Sequence, residues 1–153
     1  MLFKKHHDYT PLENYTIEEL LPHRAPFLFV DRIVEANHKH IVAERTFPAD
    51  TDFFRGHFPD YPIVPGVILV ETMAQCGGAG VIAAGVIPKG ERFYLASVHH
   101  AKFRRPVRPN ELLRVEVDNK KVTPRLLKQT GRIYVNGEMA VEAEWVCMVK
   151  DKE

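Results

Sequence analysis

The sequence predicts an α+β domain in which an antiparallel sheet wraps around one long central helix. Three observations carry that reading. Residues 66–87 form one long apolar run, too long for a strand and apolar on nearly every side of a helix, so they need covering. From about residue 93 onward, strand-like runs are divided by turn signals, of which Asn136-Gly137 is the clearest. After that turn Val141, Ala143, Trp145, Cys147 and Val149 alternate with Glu142, Glu144 and Val146, the period of a strand with one face on a core.

In chain order, Thr16-Ile17-Glu18-Glu19 has the capping-box pattern, in which Thr16 accepts an amide hydrogen bond and Glu19 reaches back. A short helix should start there and stop before Pro22, which cannot supply a helix-interior hydrogen bond. Residues 27–35 and 40–47 are rich in β-branched and aromatic side chains and read as a hairpin, with Ala36-Asn37-His38-Lys39 as its turn. Residues 51–65 carry Gly56, Pro59, Pro62 and Pro65 among aromatics, an ordered loop that feeds the long helix. No internal repeat, low-complexity tract or linker interrupts the chain, and 153 residues suit one domain spanning 1–153.

Composition excludes several classes. Apolar residues at 45% and charged residues at 27% are ordinary for a folded soluble protein. With 21 Lys and Arg against 20 Asp and Glu, the net charge of +1 gives no global attraction to nucleic acid or an anionic membrane. The two cysteines, Cys76 and Cys147, each sit in an apolar run without a zinc-ligand spacing, so they read as reduced core residues. The first ten residues lack the apolar stretch of a signal peptide, which agrees with a reducing, cytoplasmic setting. Residues 66–87 are long and apolar enough to suggest a membrane span, yet they contain Glu71, and an ionised Glu in a lone span costs about 3 kcal/mol. A buried helix of a soluble domain is the expectation, with no membrane span.

Chemistry concentrates in residues 54–75, where His57 lies in a proline-braced loop, Pro65-Gly66 starts the helix, and Glu71 stands about a turn and a half into it. Histidine titrates nearest neutrality, so a positioned imidazole can take a proton from carbon. Covering Glu71, which follows Val67, Ile68, Leu69 and Val70, would desolvate its carboxyl and raise its pKa toward that of a general acid for a departing hydroxyl. Gly66 falls where helix amides lack internal partners, and its missing side chain would let a substrate carbonyl come close. Each residue taken alone has a bland alternative: a Glu paired with a buried Arg, a satisfied loop His, a Pro-Gly that merely starts a helix.

Taken together, Gly56-His57-Phe58-Pro59, then Pro65-Gly66, then a helix bearing Glu71 and Met73-Ala74-Gln75, resemble the signature of the FabZ-type β-hydroxyacyl-[acyl carrier protein] dehydratases. The likeness extends through residues 21–32 (LPHRAPFLFVDR) and 101–107 (AKFRRPV), three separated motifs in the family's order. It implies the hotdog fold, His57 as the base for the α-proton, Glu71 as the acid or water-orienting group, and Gly66 as an amide donor to the thioester carbonyl. Phe58 and Val64 are implied as further substrate contacts. It also implies a homodimer whose sites take one catalytic side chain from each subunit, commonly assembled as a trimer of dimers. FabA-type enzymes, which also isomerise the double bond, carry Asp where this chain has Glu71, which points to plain dehydration. The chain departs from the pattern at Asp60, at Asn110 and across Ser97-Val98-His99-His100, near the expected acyl-tunnel mouth.

Lys102, Arg104, Arg105 and Arg108 form the densest basic cluster, a docking patch for an acidic acyl carrier protein with its phosphopantetheine arm, or else a solvated strand end. Without a reader helix or stacking aromatics they do not suggest nucleic acid. His6-His7, His38 with His40, and His99-His100 lack a carboxylate or Cys at a ligand spacing, so they read as solvent-exposed and no metal is expected. His23 and Arg24 are expected to pack and hydrogen-bond. The expected reaction is reversible loss of water from a β-hydroxyacyl thioester in fatty acid elongation, with no metal or redox cofactor. The rivals are a hotdog acyl-thioester hydrolase and a non-catalytic acyl-binding subunit.

Overall fold

The computed structural model describes residues 15–150, and its first element is the short helix α1, Ile17–Leu20. Thr16 and Glu19 make both capping-box bonds, as their spacing predicts. Next come β1, Arg32–Ala36, and β2, His40–Thr46, then a 3-10 turn over Asp52–Arg55, and then the long helix α2, Gly66–Ala83. Four strands complete the chain: β3, Arg92–Phe103; β4, Leu112–Val122; β5, Leu126–Val135; and β6, Glu138–Lys150. All pairings are antiparallel, and the sheet order is β1-β2-β4-β5-β6-β3. This is the hotdog arrangement, a sheet rolled around α2.

Helix α2 is the one helix among the described residues long and apolar enough to cross a membrane, and 78% of it is buried inside the fold. It is covered on most sides, as its composition requires. Small residues let it approach the sheet closely. A Cβ on Gly80 would lie 2.4 Å from Ile41 Cγ1, and one on Gly77 would lie 2.1 Å from Gln129 Oε1. Gln129 is fully buried and satisfied: Trp145 Nε1 donates to it at 3.1 Å, and its amide donates to Asn119 Oδ1 at 2.7 Å and to the Gly77 carbonyl at 3.3 Å. On β6 the inward set Ala143, Trp145, Cys147 and Val149 is buried, matching the predicted alternation, and both cysteines are free and buried.

Three local expectations are corrected. Residues 27–31 form no strand, because the Phe29 amide donates to Gln75 Oε1 at 2.7 Å and the Phe27 carbonyl accepts from Gln75 Nε2 at 3.1 Å. Helix α2 stops at Ala83 and not near residue 87. Gly85 turns left-handed at φ 74, and the Val86 amide returns to the Val81 carbonyl at 2.9 Å. His40 is half-buried and pairs with Asp118 at 2.7 Å, so it is not a free surface histidine. His100 is exposed, as expected, and stands 3.6 Å from Glu144. His6 and His7 lie outside the described residues.

Strand β3 lies at the sheet edge and exposes Tyr94, Leu95, Val98 and Phe103. Asn110, at a departure from the family pattern, is left-handed at φ 67, a conformation glycine adopts readily and asparagine tolerates.

Candidate active site

His57 is held by its loop from three sides. Its amide donates to the Phe53 carbonyl at 3.0 Å, its carbonyl accepts from the Ile63 amide at 3.0 Å, and its ring stacks on Phe58 with centroids 4.3 Å apart. The His57–Phe58 peptide is cis. Nδ1 lies 3.1 Å from the Ile63 carbonyl oxygen, which can only accept. That contact puts the proton of the neutral ring on Nδ1 and leaves a lone pair on Nε2, the form a base needs.

The same loop delivers the chain to the start of α2, where the Val64 amide donates to the Val107 carbonyl at 2.8 Å. The Gly66 amide donates to no group among the described residues, as expected for the first turn of a helix capped by Pro65. The room left by the missing side chain is occupied, however: a Cβ on Gly66 would lie 2.8 Å from Phe103 Cε1. A cleft lined by Ile63, Val64, Gly66, Leu69, Phe103 and Val107 opens here. Val64 is 3% exposed and contributes only a wall, whereas Phe58, at 47%, projects outward.

Five residues beyond Gly66, helix geometry carries Glu71 about 7.5 Å along the axis and about 140° around it. Glu71 therefore faces a different cavity, lined by Leu21, His23, Ala74, Gln75, Phe93, Leu95 and Cys147. That cavity and the Gly66 cleft share no lining residue. No hydrogen bond or ion pair joins His57 to Glu71 within the chain. Gln75 Nε2 donates to Glu71 Oε2 at 2.9 Å, and His23 Nε2 stands 3.8 Å from the same oxygen. Oε1 meets no donor among the described residues. The Cys147 thiol beside it is pushed up to about 12 by burial, with the Glu71 charge adding to the shift.

Two neighbours of Glu71 were not assigned a place by sequence reasoning. Gln75 is one turn away, at the i,i+4 spacing that puts an amide beside a carboxylate, so a signal existed. His23 was expected to pack and hydrogen-bond, but its Nδ1 is buried and has no hydrogen-bonding partner among the described residues. Arg24 does serve the backbone, donating to the Leu21, His23 and Glu18 carbonyls.

The basic cluster is half neutralised. Arg104 pairs with Glu142, and Arg105 pairs with Glu111 at 3.1 Å and with Glu138 at 3.7 Å. Arg108 lies over the Tyr61 ring at 4.1 Å, and Lys102 is exposed on β3. Among the described residues no three His, Cys, Asp or Glu side chains gather as a metal site would require.

Comparison with known proteins points in one direction. The model of the FabA-like domain family matches residues 21–144. The 3-hydroxyacyl-[acyl-carrier-protein] dehydratase FabZ of Anaeromyxobacter dehalogenans is 42% identical over 142 residues, covering 90% of each chain. The enzyme of the same name from Desulforamulus reducens is 39% identical over 142 residues, covering 92% of this chain and 99% of its own. Among solved structures, the dehydratase heterocomplex ApeI:P from Xenorhabdus doucetiae superposes with a TM-score of 0.79 at 16% identity, over 90% of this chain and 93% of that one. A hypothetical thioesterase with coenzyme A from Streptococcus pneumoniae gives a TM-score of 0.59 at 13% identity, over 80% of this chain and 90% of that one. At those identities the structural likeness speaks for the fold alone.

Proposed function

The chain belongs to the FabA-like domain family and, within it, to the FabZ-type 3-hydroxyacyl-[acyl-carrier-protein] dehydratases, and from that premise we propose that His57 and Glu71 are the pair that performs its elimination. The enzyme is a hydro-lyase of fatty acid biosynthesis: it converts a 3-hydroxyacyl thioester to the trans-2-enoyl thioester and water, reversibly.

The observation that carries the assignment of roles is the Nδ1 contact of His57 with the Ile63 carbonyl, which leaves Nε2 free to accept. In the forward direction His57 Nε2 takes the proton from C2 of the bound thioester. The electron pair moves onto the thioester oxygen as enolate character, and the unpartnered Gly66 amide stabilises it. The pair then returns to form the C2–C3 double bond, the C3–O bond breaks, and the leaving hydroxyl takes a proton from Glu71 to depart as water. Phe103 must swing aside from Gly66 to admit the thioester, and Phe58 and Val64 wall the approach.

Since Glu71 and Gly66 face different cavities of one chain, the site is composite: the His57 loop and Gly66 of one subunit meet Glu71 of a second. The exposed apolar edge strand β3 is the surface that pairs the two subunits, and three such dimers form the full assembly. An acyl carrier protein approaches over Lys102 and Arg108, the members of the cluster that no carboxylate pairs among the described residues, with Arg104 and Arg105 supporting them. The chain acts in the cytoplasm.

Incubation with a crotonyl thioester tests the reading. Hydration to the 3-hydroxybutyryl thioester is expected. Release of free thiol would make the protein a hydrolase, and tight binding with neither product would make it a silent acyl-binding subunit.

A further inference from the structure

Glu71 Oε2 lies between two side chains, and only one of them has an evident role. Gln75 fixes it through an amide hydrogen bond, while His23 approaches from the other side with Nε2 at 3.8 Å. The two nitrogens of that imidazole are in different circumstances. Nδ1 is buried with no partner among the described residues, so an N–H there would be a donor with nothing to accept it, costlier than a bare lone pair. The proton of the neutral ring therefore belongs on Nε2, which faces the carboxyl.

Charging the ring would place a second N–H on Nδ1. Burial holds the imidazolium down, with the Arg24 charge adding to the effect and the Glu71 carboxylate opposing it. The titratable groups facing His23 are Glu71 from α2, Arg24 from its own segment and Cys147 from β6, whose thiol stays protonated. At neutral pH His23 is thus an uncharged donor aimed at the acid of the reaction. The gap is wider than a hydrogen bond by less than 1 Å, within the range of a small side-chain rotation.

We propose that His23 is a positioning residue of the dehydration, donating its Nε2–H to Glu71 Oε2 as that carboxyl gives up its proton. The inference rests on the reading of Glu71 as the acid. The proton that leaves Glu71 goes to the departing hydroxyl, the electron pair stays on the carboxylate, and the His23 proton remains on nitrogen throughout. His23 and Gln75 together saturate Oε2, which leaves Oε1 as the oxygen that faces substrate. A donor to Oε2 stabilises the charge that the carboxylate acquires as its proton leaves.

His23→Leu removes the donor and keeps bulk, whereas His23→Gln keeps an N–H of similar reach. The Leu variant should lose about tenfold or more in kcat with KM little changed. The Glu71 titration should move up by about one pH unit, read as the alkaline limb of the pH profile and by 13C NMR of the carboxyl resonance that Glu71→Gln removes. The Gln variant should restore both. Thermal unfolding and dimer content accompany each measurement. Should the Leu variant not fold, His23→Asn, whose amide falls short of the carboxyl, takes its place. An unmoved Glu71 titration, or a Gln variant as impaired as the Leu variant, overturns the proposal. If Glu71→Gln is inactive while the His23 variants leave the titration unmoved, this inference falls alone. If Glu71→Gln is fully active, the Glu71 reading falls first and takes this one with it.

Discussion

Gln75 donates its side-chain amide to Glu71 Oε2 at 2.9 Å from one helical turn away, and the same side chain bonds the backbone of Phe27 and Phe29. The carboxyl is therefore tied through one residue to a segment more than forty positions earlier in the chain. Gln75→Leu leaves the buried Phe29 amide without an acceptor, a loss of about 1–3 kcal/mol by denaturant unfolding. With Glu71 free to rotate, kcat should fall by about tenfold or more. Full activity in the Leu variant would show that the carboxyl is positioned by something else.

On the proposed roles, His57→Ala and Glu71→Gln should each reduce turnover by roughly a hundredfold or more and leave the proposed dimer intact, since each would remove one proton-transfer group. Mixing the two inactive proteins under subunit exchange should restore about a quarter of the wild-type rate. Half of the dimers are then mixed, and one of the two sites in each is intact. Proven exchange with no recovery would place both groups of a site on the same chain.

Strand β3 carries Val98 at 40% exposure and Leu95 at 42% on an unpaired edge. A charge at such an edge opposes strand-to-strand association at little cost to the folded subunit. Val98→Lys is expected to sediment as a monomer with near-normal circular dichroism and to lose dehydratase activity, because neither half-site is then complete. A fully active monomer would refute the composite site.

How much was legible beforehand follows from the range of the forces. The Thr16–Glu19 box and the strand alternation around Trp145 depend on neighbours within a few residues, and both are found. Residues 27–31 look like a strand because they are apolar and aromatic. Their backbone bonds go to Gln75, 46 and 48 residues away, which no local pattern encodes. The pairing of His57 with Glu71 remains the proposal that their motif suggested. The tautomer of His57 and the approach of His23 to Glu71 depend on loop and helix packing, which appears only in three dimensions. The pairing of Arg104 with Glu142 and of Arg105 with Glu138 was hidden for the same reason, since both carboxylates come from β6, whereas Glu111 lies only six residues from Arg105.

Two glycines separate crowding at the site from crowding in the core. A Cβ on Gly131 would lie 2.4 Å from Trp145 Cη2 and 3.2 Å from Met73 Sδ, both fully buried, so Gly131→Ala should destabilise by about 2–3 kcal/mol. The obstacle at Gly66 is the Phe103 ring, which is 53% exposed and can swing away. Gly66→Ala should change stability by less than about 1 kcal/mol. It should nonetheless lower kcat/KM by about tenfold, because the new methyl narrows the approach to the amide. Equal unfolding free energies for the two variants would contradict the packing described.

Alkaline stability reports on the buried thiols. Burial pushes Cys147 up to about 12 and raises Cys76 as well, so both stay protonated in the fold where an unfolded thiol begins to ionise near about pH 8.5. Above that pH the unfolded chain binds fewer protons than the native one, and stability falls as pH rises. Each such thiol contributes a slope of up to about 1.4 kcal/mol per pH unit, for Cys147 across the window from about 8.5 to its raised value. Cys147→Val should therefore lose stability more slowly than wild type across that window and match its slope below it. Parallel curves through the whole range would mean that the Cys147 thiol ionises in the folded protein, and a thiol-directed alkylating agent would then label it without unfolding.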